Sequence, residues 1–412
     1  MRLCSTSQYA IFIISEERVK LSGGIPMKFV RAENLTIGMR LAKPIYNKNG
    51  VLLYERNTQL TFPGIKSIQN FGLIGIYILE PAEPLPPLTK EDLEFEQSQT
   101  IYMFQLRDCF SQMLKRKKIS ELPSFVADIL KRFGTLDHRV NFNQNLRSSD
   151  DVIYKHSIST AILAAMISHS MNLSYENQKA LVAASLLFNL GLSFAPKNLL
   201  SNIKSLSDDE EELLQQSLEK GMIYFELYKD SFDFMPKAFQ LLEYYILPYQ
   251  KHSTEAERNM EIHRMADILR VADHFDSYTA MGVDQEPVSE IMGMKHLTDH
   301  PEIYNTEVTV ALARCIHIIP TGASVDLSTK DKGIVLAENP MDFMHPLVLR
   351  LSNNQIYDLS DPVIAKHIHI VDIMKTMDNR VSIDEHTLEQ FVADERIMKT
   401  AARFRKILYG HE

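Results

Sequence analysis

The chain's 412 residues, 45% of them hydrophobic, can bury a large core and divide into two or three domains. Its 44 basic and 53 acidic residues give a formal charge of -9, which excludes the basic footprint that supplies most of the affinity of nucleic-acid binders. Cys4, Cys109 and Cys315 are too scattered for a disulfide framework or a Cys-x-x-Cys metal knuckle, and they fit a reducing cytoplasm.

Near the start, Tyr9 to Ile14 is an apolar run too short for the core of a signal peptide. Residues 27–80 alternate short apolar runs with turn signals, and Asn49-Gly50 between two such runs is a strong hairpin signal because both residues tolerate positive φ. A short helix ending near Gly72 and a returning strand complete a small β-rich domain there. Residues 81–90 are proline-rich, from Pro81 through Pro84, Pro86 and Pro87, and read as a stiff linker. Residues 91–147 predict two helices. The first carries Ile101, Phe104, Leu106, Phe110 and Met113; the second carries Phe125, Ile129 and Leu130.

From 177 to 190 almost every position is apolar or small, the pattern of a helix buried on all sides. It is preceded by His156 and followed, at intervals of roughly thirty residues, by Ser217, by Tyr244-Tyr245 and by Asp273. After this helical stretch, residues 307–359 turn β-rich in VTVALARCIHIIPTGASVDL, KGIVLAEN and HPLVLRLS. The last helix, 395–409, places Ile397, Ala401, Phe404 and Leu408 on one face, which is expected to dock on the body.

That order and spacing resemble the HD-GYP family, all-helical metal phosphodiesterases that open bacterial cyclic di-GMP. GMRLAKPIY is similar to the accessory domain that precedes many HD-GYP domains, and Ile318-Ile319-Pro320-Thr321-Gly322 to a small β extension that follows some of them. The resemblance implies a mainly α fold: a helical HD-GYP-like domain over 91–300 with its core at 150–294, a β-rich accessory domain at 27–80, a β-rich extension at 301–360 and helices at 361–412. It begins just after Met27, and the codons of Gly23-Gly24 could spell a ribosome-binding sequence. Residues 1–26 are therefore expected to be a mis-assigned start or leader, with translation beginning at Met27.

The family's metal ligands are a His, a His-Asp dyad, a single His, a His-His pair and a final Asp. Here His156 and Asp273 stand at the first and last positions, as vestigial metal ligands. Phe188-Asn189 replace the dyad, Ser217 the single His, and Tyr244-Tyr245 the pair; Leu192 replaces the lysine of the family's HDIGK segment. Phe188 has no lone pair, Asn189 no charge, and a phenol with a reference pKa of about 10 binds divalent ions feebly. The resemblance thus implies a pseudo-enzyme with no catalytic and no cofactor-binding residue, and no expected cofactor. The alternative is a phosphodiesterase with a rebuilt iron or manganese site, for which His252 and His263 are candidate ligands.

His156 is either a hydrogen-bonded core histidine or a surviving ligand. Asp273 shares a stripe with Ile262, Met265, Ala266, Leu269 and Asp276, where a carboxylate is costly unless paired. It is expected to bond Tyr244, Tyr245 or His156. His169, His296, His300, His317 and His345 show no ligand spacing. A third reading is a receptor that holds a cyclic dinucleotide through Lys251, Arg258, Arg264 and Arg270. The expected partner is an unidentified signalling protein, with a homo-oligomer open and no apolar run of the roughly twenty residues that span a membrane.

Overall fold

The computed structural model describes residues 27–47, 49–71, 75–79, 90–142, 146–147, 150–201, 206–248, 251–254, 258–282, 288–373 and 395–409. The expected leader at 1–26, and all of the expected linker at 81–90 except its last residue, lie outside them. The fold is mainly α, with small β modules on either side of a helical body.

Residues 27–79 contain β1 (Met27–Arg31), β2 (Ile45–Tyr46), β3 (Leu52–Tyr54), α1 (Phe62–Asn70) and β4 (Gly75–Leu79). β1 pairs antiparallel with β4, and β2 with β3, around a core of Leu41, Leu60, Ile68 and Ile76. The expected hairpin is present, but its turn chemistry belongs to Asn47, whose Oδ1 accepts from the backbone N–H of Asn49 and Val51 at 2.9 and 3.0 Å. Gly50 takes a positive φ of 73° and Asn49 does not.

The body comprises α2 (Lys90–Leu114), α3 (Leu122–Phe133), β5 (Leu146–Arg147), α4 (Val152–Ser170), α5 (Tyr175–Leu187), α6 (Lys197–Ser201), α7 (Asp208–Tyr228) and α8 (Met235–Ile246). It continues through α9 (Met260–Thr279), β6 (Met281–Gly282), α10 (Glu290–Asp299) and α11 (Thr306–Cys315). Short polar caps start several of these helices: Ser174 Oγ accepts from Asn177 N at 3.3 Å, and Asn259 Oδ1 from Glu261 N at 3.1 Å. α4 packs against α2, α5, α9 and α11, and five consecutive residues of it, Ala161 to Ala165, are wholly buried. Consecutive burial means every side of that helix meets protein. α2 also reaches back to the amino-terminal module, where Lys43 Nζ donates to Glu96 Oε1 at 2.5 Å.

The structure corrects three boundaries. The buried helix expected over 177–190 ends at Leu187, and a 3-10 turn follows from Leu190 to Phe194. Residues 307–315, expected to be strand, form α11. Val308, Thr309 and Val310 favour strands locally. The helix prevails because Asn305 Oδ1 caps Glu307 N at 3.0 Å, while Val308, Ala311, Leu312 and Cys315 fall on one buried face at helical spacing. Finally, the region 361–412 is not all helix, since it supplies a strand to the carboxyl-terminal sheet.

That sheet contains β7 (Ser324–Leu327), β8 (Lys332–Ala337), β9 (Leu347–Arg350), β10 (Gln355–Asp358) and, after α12 (Pro362–Ala365), β11 (Ile370–Ile373). The order is β10-β9-β8-β7-β11, antiparallel throughout. α13 (Glu395–Tyr409) buries Ala401 and Phe404 against Leu336 and Leu347 of the sheet. A buried ion cluster ties the sheet to the body. Glu338 Oε2 accepts from His317 Nδ1 at 2.8 Å and lies 3.6 Å from Arg139 Nη1.

The 3-10 turn is pressed onto α7 at Gly191, where an added Cβ would stand 2.4 Å from the carbonyl oxygen of Ser217 and 2.5 Å from Leu218 Cα. Both obstacles are backbone or next to it, so neither can rotate aside. Gly191→Ala is expected to lower unfolding stability by roughly 2 to 3 kcal/mol, measured by urea denaturation. A variant as stable as the parent would show that this helix contact is loose.

Candidate functional site

Three helices bring His156, Asp273 and Tyr245 together. α4 presents His156, α9 presents Asp273 and Asp276 three residues apart on one face, and α8 presents Tyr245. His156 lies between the two carboxylates: Nε2 is 2.8 Å from Asp273 Oδ1 and Nδ1 is 2.6 Å from Asp276 Oδ2. Tyr245 donates its hydroxyl to Asp273 Oδ2 at 2.6 Å, and Ser277 Oγ donates to Asp273 Oδ1 at 3.3 Å. The carboxylates are 4% and 0% exposed, so neither relies on bulk water.

Arg147, from β5, completes the group. Its Nη1 lies 2.6 Å from Asp276 Oδ2, Nη2 donates to Asp276 Oδ1 at 2.6 Å, and Nη2 also reaches Ser159 Oγ at 3.3 Å. Sequence reasoning missed this residue. Its one signal was indirect: a second carboxylate on an apolar stripe demands a cation, without saying which.

The electrostatics follow from these contacts. Burial alone pulls the His156 pKa down, but the hydrogen bonds and charges of Asp273 and Asp276 outweigh it and raise the pKa to about 9. For Asp276, burial pushes the carboxyl up, yet the Arg147 charge and the His156 hydrogen bond prevail and hold it at about 2. Asp273 is also lowered: burial raises it, and bonding to His156 more than offsets that. The site at neutral pH is therefore two anions and two cations locked together.

The other positions singled out in the sequence have surroundings of their own. Phe188 caps the end of α5, is 1% exposed, and sets its ring 5.5 Å from that of His156 and 6.2 Å from that of Tyr245. Asn189 Nδ2 donates to Ser157 Oγ at 3.1 Å. Ser217 bonds its own helix at Leu213 O, 2.9 Å away, and Leu192 is buried without a polar role. Tyr244 points elsewhere, stacked between His252 and His263 at centroid distances of 5.0 and 4.7 Å. Those two histidines are thus not brought to His156 and Asp273.

The basic residues considered for nucleotide binding do not converge. Lys251 pairs with Glu219, Arg270 with Asp267, and Arg264 donates to Met171 O, while Arg258 is exposed. Of the histidines without ligand spacing, His317 belongs to the Glu338 cluster, His169 pairs with Asp137, His345 with Asp342, and His296 stacks on Tyr278 with His300 tilted beside it.

The metal pair that the HD-GYP resemblance implies does not fit these residues. A ligating imidazole offers a nitrogen lone pair, and both nitrogens of His156 are turned to carboxylates. Asp276 carries a guanidinium on both oxygens, and Phe188 offers nothing. Among the described residues, no three His, Cys, Asp or Glu side chains are grouped to hold a metal ion. Among the same residues, no helix is long and apolar enough to cross a membrane.

No protein-family model and no curated protein matches this sequence. Among solved structures the chain is similar to Bd1817, a HDG"Y"P protein from Bdellovibrio bacteriovorus, with 14% identity and a TM-score of 0.41 over 69% of this chain and 98% of that one.

Two measurements test the lock. With a folded pKa of about 9 against an ordinary 6.5, the His156 contribution to stability is complete below pH 6.5 and is lost as pH rises through 9. The Asp276 contribution is complete above its ordinary 3.8 and is lost as pH falls through about 2. Urea stability should therefore peak between these limits and fall by a few kcal/mol by about pH 9.5, whereas His156→Gln should be lower throughout and flat over the alkaline limb. An alkaline limb of equal slope in both proteins would refute the assignment. Tyr245→Phe, which strips a donor from a buried carboxylate, should cost about 1 to 3 kcal/mol, against about 0.5 for Ser217→Ala. Equal costs for the two would place Tyr245 outside the lock.

Proposed function

We propose that the chain is a catalytically degenerate HD-GYP-like protein, acting as a non-enzymatic regulatory or protein-interaction module in bacterial cyclic di-GMP signalling in the cytoplasm. The observation that carries this reading is His156, the family's first ligand position, with each ring nitrogen committed to a buried carboxylate. Opening a phosphodiester at neutral pH needs a strong nucleophile, and a metal provides one by lowering the pKa of bound water from about 15.7 to about 7. A double-donor imidazolium, a phenyl ring and a phenol cannot hold a metal for that task.

The residues that would grip a substrate point the same way. Leu192 brings no charge to a phosphate, and Lys251, Arg264 and Arg270 are spent on separate partners. These pairings favour neither a cyclic dinucleotide receptor nor a phosphodiesterase. The remaining use of the fold is its surface, offered to a signalling protein.

The test is to purify the protein with added manganese or iron, measure bound metal, and assay cyclic di-GMP turnover. We expect neither stoichiometric metal nor hydrolysis above the no-enzyme rate. Tight metal with turnover would replace this proposal with a metal phosphodiesterase.

A further inference from the structure

We infer that Arg147 is a built-in cation, whose guanidinium takes the electrostatic place of a divalent ion on Asp276 and keeps such an ion out. This rests on the non-catalytic reading above and names the device that enforces it. A buried carboxylate requires a neighbouring positive charge, and Asp276 is wholly buried. An ion from solvent would meet that need. So does an arginine, provided the chain can fix it in place.

The fixing is visible in the backbone. β5 pairs in parallel with β6, with Leu146 opposite Met281 and Arg147 opposite Gly282. β6 begins shortly after the end of α9, the helix of Asp273 and Asp276. The segment that delivers the guanidinium and the segment that delivers the carboxylates are therefore joined a few residues from the site. Arg147 itself is 5% exposed.

The contact then occupies the whole carboxylate. Two nitrogens of the fork meet the two oxygens at 2.6 Å each, the bidentate geometry that arginine favours and lysine cannot match. The same fork covers Ser159 Oγ at 3.3 Å. Were the side chain absent, two carboxylate oxygens and a hydroxyl would face one space. Oxygen donors suit Mn2+. The sequence thus conceals a latent cation site beneath Arg147, of different composition from the dyad that the family uses.

The experiment compares wild type, Arg147→Ala and the double variant Arg147→Ala/Asp276→Asn by thermal unfolding with EDTA or with excess Mn2+, followed by desalting and metal analysis. Arg147→Ala is expected to melt roughly 10 °C below wild type in EDTA and to regain at least about half of that loss in Mn2+, retaining stoichiometric Mn2+. Wild type and the double variant should not respond. Should Arg147→Ala aggregate, Arg147→Gln, which keeps amide donors without charge, is measured the same way, and refolding yield from urea with and without Mn2+ replaces the melt if neither variant folds. A variant as stable as wild type, or one that Mn2+ leaves unmoved, overturns this inference alone. Wild type that takes up stoichiometric Mn2+ overturns both this inference and the non-catalytic reading.

Discussion

Two carboxylates one turn apart on α9, shut off from water, set the conditions for everything packed around them. An unpaired buried carboxylate costs several kcal/mol, a large share of the 5 to 15 kcal/mol that typically holds a domain together. Asp273 and Asp276 can therefore persist only if their partners are fixed in space. Those partners come from α4, α8 and β5, so one electrostatic demand aligns four elements drawn from two separate stretches of the chain. Charge pairs of this kind add little net stability over a well-packed apolar core, but losing one member leaves the other stranded. The site is thus a point of mutual dependence between elements.

The side chains at the other positions singled out in the sequence follow the same logic. Tyr245 is aromatic enough to pack against Phe188 yet keeps a hydroxyl for Asp273, which a leucine would leave short of a donor. Phe188 needs no such handle because its neighbours are rings. Asn189 is near enough to Ser157 to satisfy its amide, and Ser217 turns to its own helix. Each of these side chains has a local solution.

Much of this was legible in the sequence, because burial leaves a strong imprint on residue type. The run from 177 to 190 announced a helix with no wet side, although the helix ends at Leu187, and an aspartate on the apolar stripe of α9 announced a buried bond to His156 or a tyrosine. Other features lay beyond local reading. Arg147 sits in a two-residue strand whose partner is more than a hundred residues away, and no periodicity marks such a pair. Tyr244 and Tyr245 look equivalent in sequence. Adjacent residues on a helix point about 100° apart, so one faces Asp273 while the other stacks between His252 and His263. Arg264 and Arg270 were separated by the same geometry. The misread segment 307–315 shows a third limit: three β-branched residues in a row outweighed, on paper, a cap and a buried stripe that decide the matter in three dimensions.

A site that had merely lost its ligands would differ from this one in a specific way. Deleting cations from beside Asp273 and Asp276 would leave two buried negative charges, and the chain would have to expose them, protonate them or unfold. Here the missing charge is returned from within, one unit by Arg147 and one by the doubly bonded His156. The result is neutral overall and closed by Phe188. Compensation on this scale keeps the helical body packed around two charges that would otherwise be stranded in it.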